Sequence, residues 1–339
     1  MFSRARLLQI ADAMQGRRVV VWGDIVADRF IYGLPKRISR EAPVLILRQY
    51  REDVLLGGGG NAIHNIAALG GVPIPVGVLG EDAEGRALVA ALTERGVDCG
   101  AILRLPRYRT PTKTRVLGGM PHAARQQIVR YDLEDFVELD ERERETIART
   151  LAERIAGADA ALISDYGYGS VSPELATRLN AGRGDRPVTL DSRYRLLEFN
   201  GVTAATPNED EAAIASGISL FENDEDEKLR TAGLMLLNGI SSDALLITRG
   251  SRGMALFERG SDAPLEIPVW GGDQVADVTG AGDTVIAAFT LALAARASFA
   301  EAAKIANYCG GVVVMKMGTA TASVEELRDA IARDEGLRD

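Results

Sequence analysis

"DVTGAGDTVIAAFTLALAA" (277–295) decides the fold. A polar, glycine-rich turn leads straight into an unbroken apolar run, and the carboxylate Asp283 stands at the junction, near the expected helix start. Gly280, Ala281 and Gly282 leave the backbone bare there, so N–H groups at a helix start point at whatever approaches. Such a terminus is an anion site. A phosphoryl group in transfer suits it, because its charge spreads over equatorial oxygens that fixed dipoles stabilise. Asp283 beside that group would take the proton from an attacking hydroxyl. The same residues also fit a plain glycine turn with the aspartate capping its helix. The apolar stretches at 285–295 and 311–315 are too short to span a bilayer.

Outward from this helix the chain alternates. Short β-branched runs, "VVVWG" (19–23), "IPVGVLG" (74–80), "AALIS" (160–164), "PVTLD" (187–191), "VTAAT" (202–206) and "ALLIT" (244–248), are spaced by helical patterns. Those patterns include "NAIHNIAALG" (61–70), "EGRALVAALTERG" (84–96) and "EKLRTAGLMLLNG" (227–239). This is the signature of βαβ units, so an α/β, doubly wound, mostly parallel sheet is expected. Ser323 and Glu326 form a capping box for a final helix. Two regions, at about 28–52 and 108–134, carry strand-like alternation without helical signal, and Arg, Lys and Gln recur in them. They are expected to be antiparallel strands that pair into a small β lid over one end of the core. No linker separates independent domains, so residues 1–339 are expected to form one domain.

The chain's net charge of −9 and pI near 5.1 argue against nucleic-acid or anionic-membrane partners. Two distant cysteines, Cys99 and Cys309, and two histidines, His64 and His122, argue against a disulfide framework or a His-rich metal centre, and for a cytoplasmic setting. "MFSRARLLQIADAMQGRR" reads as an amphipathic helix and not as a signal peptide. His64 is expected to be a packed histidine, Cys309 a small buried residue, and "ENDEDE" (222–227) a solvated loop.

Five ordered motifs resemble the ribokinase-like (PfkB) sugar kinase family: "GDIVAD" (23–28), "GGGGNA" (57–62), "PNEDE" (207–211), "TRGSRG" (248–253) and "DVTGAGDT". The resemblance implies Asp283 as catalytic base and Gly280, Ala281 and Gly282 as the anion hole. It also implies Asp28, Gly58 and Asn61 at the sugar. Asn208 and Glu211 would order water and Mg²⁺ by the ATP phosphates, and Thr248, Gly250, Gly253 and Asn307 would lie around the nucleotide. Asp277 and Thr279 sit where relatives bind a monovalent cation such as K⁺, or else they only order the loop. "GDIVADRFIYGLPKRISREAPV" (23–44), "TPTKTRVL" (110–117), "QQIVRYDLE" (126–134) and "ISDYGYG" (163–169) are similar, more narrowly, to bacterial heptose-7-phosphate kinases. That implies phosphoryl transfer to O1 of D-glycero-D-manno-heptose 7-phosphate, an early step in lipopolysaccharide core sugar synthesis. Lys113, Asp165, Tyr168 and Arg193 would then lie around the sugar, and the chain would be a kinase domain without a fused nucleotidyltransferase. Relatives of this kind pair through the lid, so a homodimer is expected.

Tyr168 stands where these kinases carry lysine, and "DSRYR" (191–195) also lacks their lysine. A tyrosine is a weaker, neutral phosphate partner. Lys113, Arg115, Arg193 and Arg195 are the candidate replacements, and an unphosphorylated sugar is the rival substrate. "GGGGNA" can also be aligned to a dinucleotide fingerprint, but it does not close the first strand and that reading leaves "DVTGAGDT" unused. A non-catalytic sugar or nucleotide sensor would have no use for Asp283, Asn208 and Glu211.

Overall fold

The computed structural model describes residues 2–119, 126–220, 224–272 and 276–339. His122 lies outside them, as do Glu222 and Asn223 of the acidic run. After helix α1 (Arg4–Ala13) comes strand β1 (Arg18–Ile38), then β2 (Leu45–Gly58), α2 (Gly59–Ala68), β3 (Val72–Gly80), α3 (Ala83–Thr93) and β4 (Ile102–Leu105). The middle of the chain forms β5 (Thr112–Gly118), β6 (Gln126–Leu133), α4 (Glu141–Ala156), β7 (Ala160–Asp165), α5 (Pro173–Gly182), β8 (Val188–Ser192), β9 (Ala204–Ala205) and α6 (Glu209–Ser216). It ends with α7 (Glu225–Gly239), β10 (Ala244–Thr248), β11 (Met254–Glu258), β12 (Leu265–Ile267), α8 (Ala281–Ala294), α9 (Phe299–Val314) and α10 (Val324–Arg333).

The core sheet runs β12-β11-β10-β9-β8-β7-β1-β3-β4. It is parallel from β10 to β4 and antiparallel at the β10–β11–β12 edge. Apolar side chains cover both faces, as a parallel sheet requires. Helices α1, α2, α8, α9 and α10 pack on one face, and α4, α5 and α7 on the other. Helix α8 is apolar all round and buried along its length, with Phe289 fully enclosed. Burial of that ring contributes about 2–3 kcal/mol. The Thr290 and Thr189 hydroxyls meet at 2.6 Å and tie α8 to β8. No described helix is long and apolar enough to cross a membrane.

β1 departs most from the sequence reading. "VVVWG" and the first lid segment are one 21-residue strand that leaves the centre of the core sheet and continues into the lid. Its outer half pairs antiparallel with β2 and parallel with β5, and β5 pairs antiparallel with β6. The lid therefore forms from the two expected regions, but they join through a parallel pairing. Period-2 alternation is the same in parallel and antiparallel strands, so it does not reveal direction. "VTAAT" shrinks to Ala204–Ala205. The acidic run is not wholly loop: Glu225–Glu227 form the first turn of α7, where acidic side chains suit the helix dipole. The Ser323–Glu326 capping box is present, and α1 is a helix.

Candidate active site

The chain reverses its build direction across β1, whose neighbours are β3 on one side and β7 on the other. Ligands of open α/β sheets bind outside the carboxyl ends of the strands at such a switch point. A cleft of about 280 Å³ opens there, lined by Asp165, Tyr166, Asp191, Arg193, Thr206, Asn208, Glu211, Thr248, Val278, Gly280, Gly282 and Asp283. An apolar pocket of about 220 Å³ adjoins it, sharing Thr248, Val278 and Gly282.

Helix α8 starts at Ala281, two residues before the expected start, with Gly280 as N-cap at φ 77°. A Cβ on Gly280 would lie 2.4 Å from the Asn61 side-chain amide, so both its φ and its surroundings require glycine. The Ala281 N–H donates to Val278 O, which removes it from the expected anion hole. The N–H groups of Gly282 and Asp283 have no acceptor among the described residues, and the space beside Gly282 is open. Two N–H groups at a helix start are thus left open to an anion.

Asp283 is buried. Asn61 Nδ2 donates to its Oδ2 at 3.1 Å and also contacts Gly280 O at 3.2 Å. The Tyr166 hydroxyl donates to Oδ1 at 2.8 Å. Burial pushes the Asp283 carboxyl up to about 6, against the lowering effect of both donors. Asn61 is itself held by Asn65 Nδ2, at 3.1 Å from its Oδ1. Asn61, expected only at the sugar, thus also bridges α2 to the start of α8.

Asp28 lies in the lid half of β1 and accepts from Arg115 Nη1 at 2.5 Å. A Cβ on Gly57 would meet the Asp28 carboxylate at 2.5 Å, so the bare backbone of the glycine run makes room for this acid. Gly58 ends β2 and caps α2. Lys113, opposite Asp28 in register, is buried with its ammonium 4.6 Å from the Tyr166 ring centroid. Burial lowers its proton affinity, and Asp28 partly restores it. Neither Lys113 nor Arg193 forms a side-chain ion pair among the described residues.

Four sequence assignments change in emphasis. Asp165 lines the cleft, but Ser192 Oγ, Arg195 Nη2 and Arg195 Nε occupy its carboxylate at 2.7, 2.5 and 3.3 Å. Arg195 is thereby withdrawn as a phosphate partner, and the Asp28 pair likewise engages Arg115. Tyr168 is buried outside the cleft lining, with its hydroxyl on Glu134 at 3.1 Å. Asn208 and Glu211 form a capping box at the start of α6, at 2.9 and 3.0 Å, while lining the cleft. Asn307 lines the apolar pocket, yet its amide bonds the Trp270 N–H at 2.9 Å and Pro268 O at 3.2 Å. Its role there is to pin the 268–270 wall. Thr248, Gly250 and Gly253 also line this pocket. The Asp277 carboxylate accepts the Thr279 and Gly318 N–H groups, both at 2.9 Å, and so orders the loop before α8.

Two residues were not singled out from the sequence. Asp24 accepts three backbone N–H groups, from Tyr166, Tyr168 and Ser170, at 2.8–3.1 Å. It shapes the "DYGYG" loop, and burial pushes its carboxyl up to about 6. Asp191, near the end of β8, is half-buried in the cleft lining, and its carboxyl is raised by burial and by Glu211. His64 accepts from Arg95 at 2.9 Å, and burial holds it down to about 4, which fits a packed neutral imidazole. No group of three or more metal-ligating side chains occurs among the described residues.

A family model described as pfkB family carbohydrate kinase matches residues 17–327. The curated protein "Bifunctional protein HldE" of Mesorhizobium japonicum is 39% identical over 324 residues, covering 95% of this chain and 63% of that protein. The protein of the same name from Pelobacter propionicus is 37% identical over 332 residues, covering 97% of this chain and 66% of its own length. The chain thus spans less than two thirds of the length of these relatives. Among solved structures, Escherichia coli phosphofructokinase-2 in complex with potassium overlays with a TM-score of 0.75 at 20% identity, covering 94% of this chain and 98% of that one. Arabidopsis thaliana ribokinase complexed with ribose and ATP overlays at 0.68 and 21%, with the same coverage. Both show the fold.

Proposed function

The chain belongs to the pfkB family of carbohydrate kinases, and from that premise we propose that it transfers the γ-phosphoryl of ATP to O1 of D-glycero-D-manno-heptose 7-phosphate. The observation that carries the transfer is Asp283, a buried carboxylate beside the open N–H groups of Gly282 and Asp283 at the start of α8. A base with proton affinity near 6 is ionised at neutral pH yet basic enough to take the O1 proton as the bond to phosphorus forms. The two N–H groups and the helix dipole stabilise the charge of the transferring group. The adenine would occupy the apolar pocket behind Gly282, with Gly250, Gly253 and the Asn307-pinned wall around it.

The donor chemistry fits a divalent cation. Asp191 and Glu211 face the same cleft, and burial raises both carboxyls. A positive ion near them relieves that strain. Asn208 and Glu211 would hold Mg²⁺ through water, where it supplies charge neutralisation at the phosphates. K⁺ would belong at the loop that Asp277 and Thr279 order.

The sugar assignment rests on the resemblance of the lid segments and on two cations without ion-pair partners among the described residues, Arg193 in the cleft lining and Lys113 against the Tyr166 ring. Arginine and lysine of this kind recognise a phosphate on the distal end of the sugar. Comparing kcat/KM for heptose 7-phosphate with that for free heptose tests it. A preference of at least about tenfold for the phosphorylated sugar is expected, the size of one charge-assisted contact. Preference for the free sugar, or no turnover of either, overturns the substrate. The lid carries the exposed side chains Ile38, Val44, Ile128, Val129 and Tyr131, and a second copy of the chain is the proposed partner there. Sedimentation at micromolar concentration checks this.

A further inference from the structure

We propose that Tyr166 is a positioning residue for Asp283, orienting the carboxylate and tuning its proton affinity. This rests on the reading of Asp283 as the base. The hydroxyl donates to Oδ1 at 2.8 Å, while Asn61 holds Oδ2 at 3.1 Å, so the carboxylate is gripped at both oxygens and cannot rotate freely. Tyr166 is itself fixed from two directions. Its backbone N–H donates to Asp24 Oδ2 at 2.8 Å, and the Lys113 ammonium lies 4.6 Å from its ring centroid. An ionised carboxylate oxygen accepts more than one hydrogen bond, so Oδ1 keeps capacity for the sugar hydroxyl's proton.

The charged groups that face Asp283 are Asp28 on β1, Lys113 on β5 and Asp191 on β8, with the Tyr166 hydroxyl after β7. Burial and Asp28 raise its proton affinity. Lys113, Asn61 and Tyr166 lower it. The Tyr166 phenol stays protonated, because burial and Asp283 itself raise it far above neutral pH, so it remains a donor throughout the working range. Without that donor the carboxylate holds its proton to higher pH and is free to turn.

Tyr166→Phe tests this. The acid limb of its kcat profile is expected about one pH unit above the parent's, the effect of losing one donor to a carboxylate. Turnover should drop about fivefold at pH 6, approach a tenfold drop well below it and recover to within about threefold by pH 8.5, with KM for ATP unchanged. A uniform loss at every pH, as a packing defect would give, or an unmoved profile overturns the proposal. A second readout needs no turnover: ¹³C NMR titration of the Asp283 carboxyl, assigned by its disappearance in Asp283→Asn. It should move up in Tyr166→Phe and down in parent chain labelled with 3-fluorotyrosine, a stronger donor. No movement in either overturns the role of Tyr166. Full turnover by Asp283→Asn would overturn the base assignment instead, so the two failures are distinguishable.

Discussion

The two halves of the cleft are built from different materials. Beneath the lid, interlocking side chains do the work: Asn65 holds Asn61, Asn61 and Tyr166 hold Asp283, Arg115 holds Asp28, and Arg195 holds Asp165. In the adjoining apolar pocket the wall is backbone and small apolar groups, with Asn307 spending its amide on the main chain of residues 268 and 270. A buried polar network fixes geometry but fails sharply when one member is lost, because the others are left unpaired. An apolar wall tolerates change by small increments. Mutations in the first half should therefore cost far more than mutations in the second.

Asp283→Asn should produce the largest effect. Loss of a general base lowers kcat by about 10²–10⁴-fold, while ATP affinity by calorimetry stays unchanged. Gly280→Ala follows: its Cβ collides with the Asn61 amide in a left-handed backbone, displacing the clamp on the base. A displacement of about 1 Å costs on the order of 10²-fold in rate. Arg195→Ala should spare the chemistry more than the fold. It leaves the buried Asp165 without its cation, and because Arg195 is partly exposed we expect about 2 kcal/mol, below the usual range for a buried pair. An earlier urea midpoint with kcat per folded molecule retained is the expected result.

The pH profile comes next. Asp283 acts as an anion, and burial sets its proton affinity near 6, so protonation below that value removes the base. Turnover should fall as pH drops through 6, by about tenfold per unit once well below it. A flat rate between pH 5 and 7 would separate the buried carboxylate from the rate-limiting step. Asn307→Ala is the mildest. Loss of two neutral hydrogen bonds to the 268–270 wall, worth about 1 kcal/mol, should raise KM for ATP about fivefold and leave the sugar's KM alone. If Asn307→Ala proved as damaging as Gly280→Ala, the contrast between the two halves would fail.

The same contrast explains what the sequence revealed. Local signals carried well. Short apolar runs located six of the nine core strands, and the Ser323–Glu326 spacing placed a capping box. "DVTGAGDT" located the helix start to within two residues. Long-range polar pairing did not carry. Asn61 meets Gly280 and Asp283 more than 200 positions along the chain, and nothing in "GGGGNA" encodes that partner. Arg195 and Arg193 look alike in "DSRYR", yet one is bound to Asp165 and the other lines the cleft. Asn208 and Glu211 fit a capping box as well as they fit a magnesium motif, and the structure shows the capping box. Asp24 lies within β1, and nothing in "GDIVAD" points to the distant loop that it organises.

One strand belongs to both the centre of the core and the middle of the lid. Along β1, Val19 to Ala27 are shielded from water, whereas Lys36 to Ile38 are open to it, and the pairing with β2 slips register at Tyr32/Gly33 and again at Pro35/Arg37. Amide exchange along this single strand should therefore grade from protons that leave only on global unfolding to protons lost in local opening, with the change near the first slip. The lid has no separate hinge loop at this root. Its opening would be the bending of a continuous ribbon, and a graft that exchanged the lid for another would have to cut through the best-protected strand of the molecule.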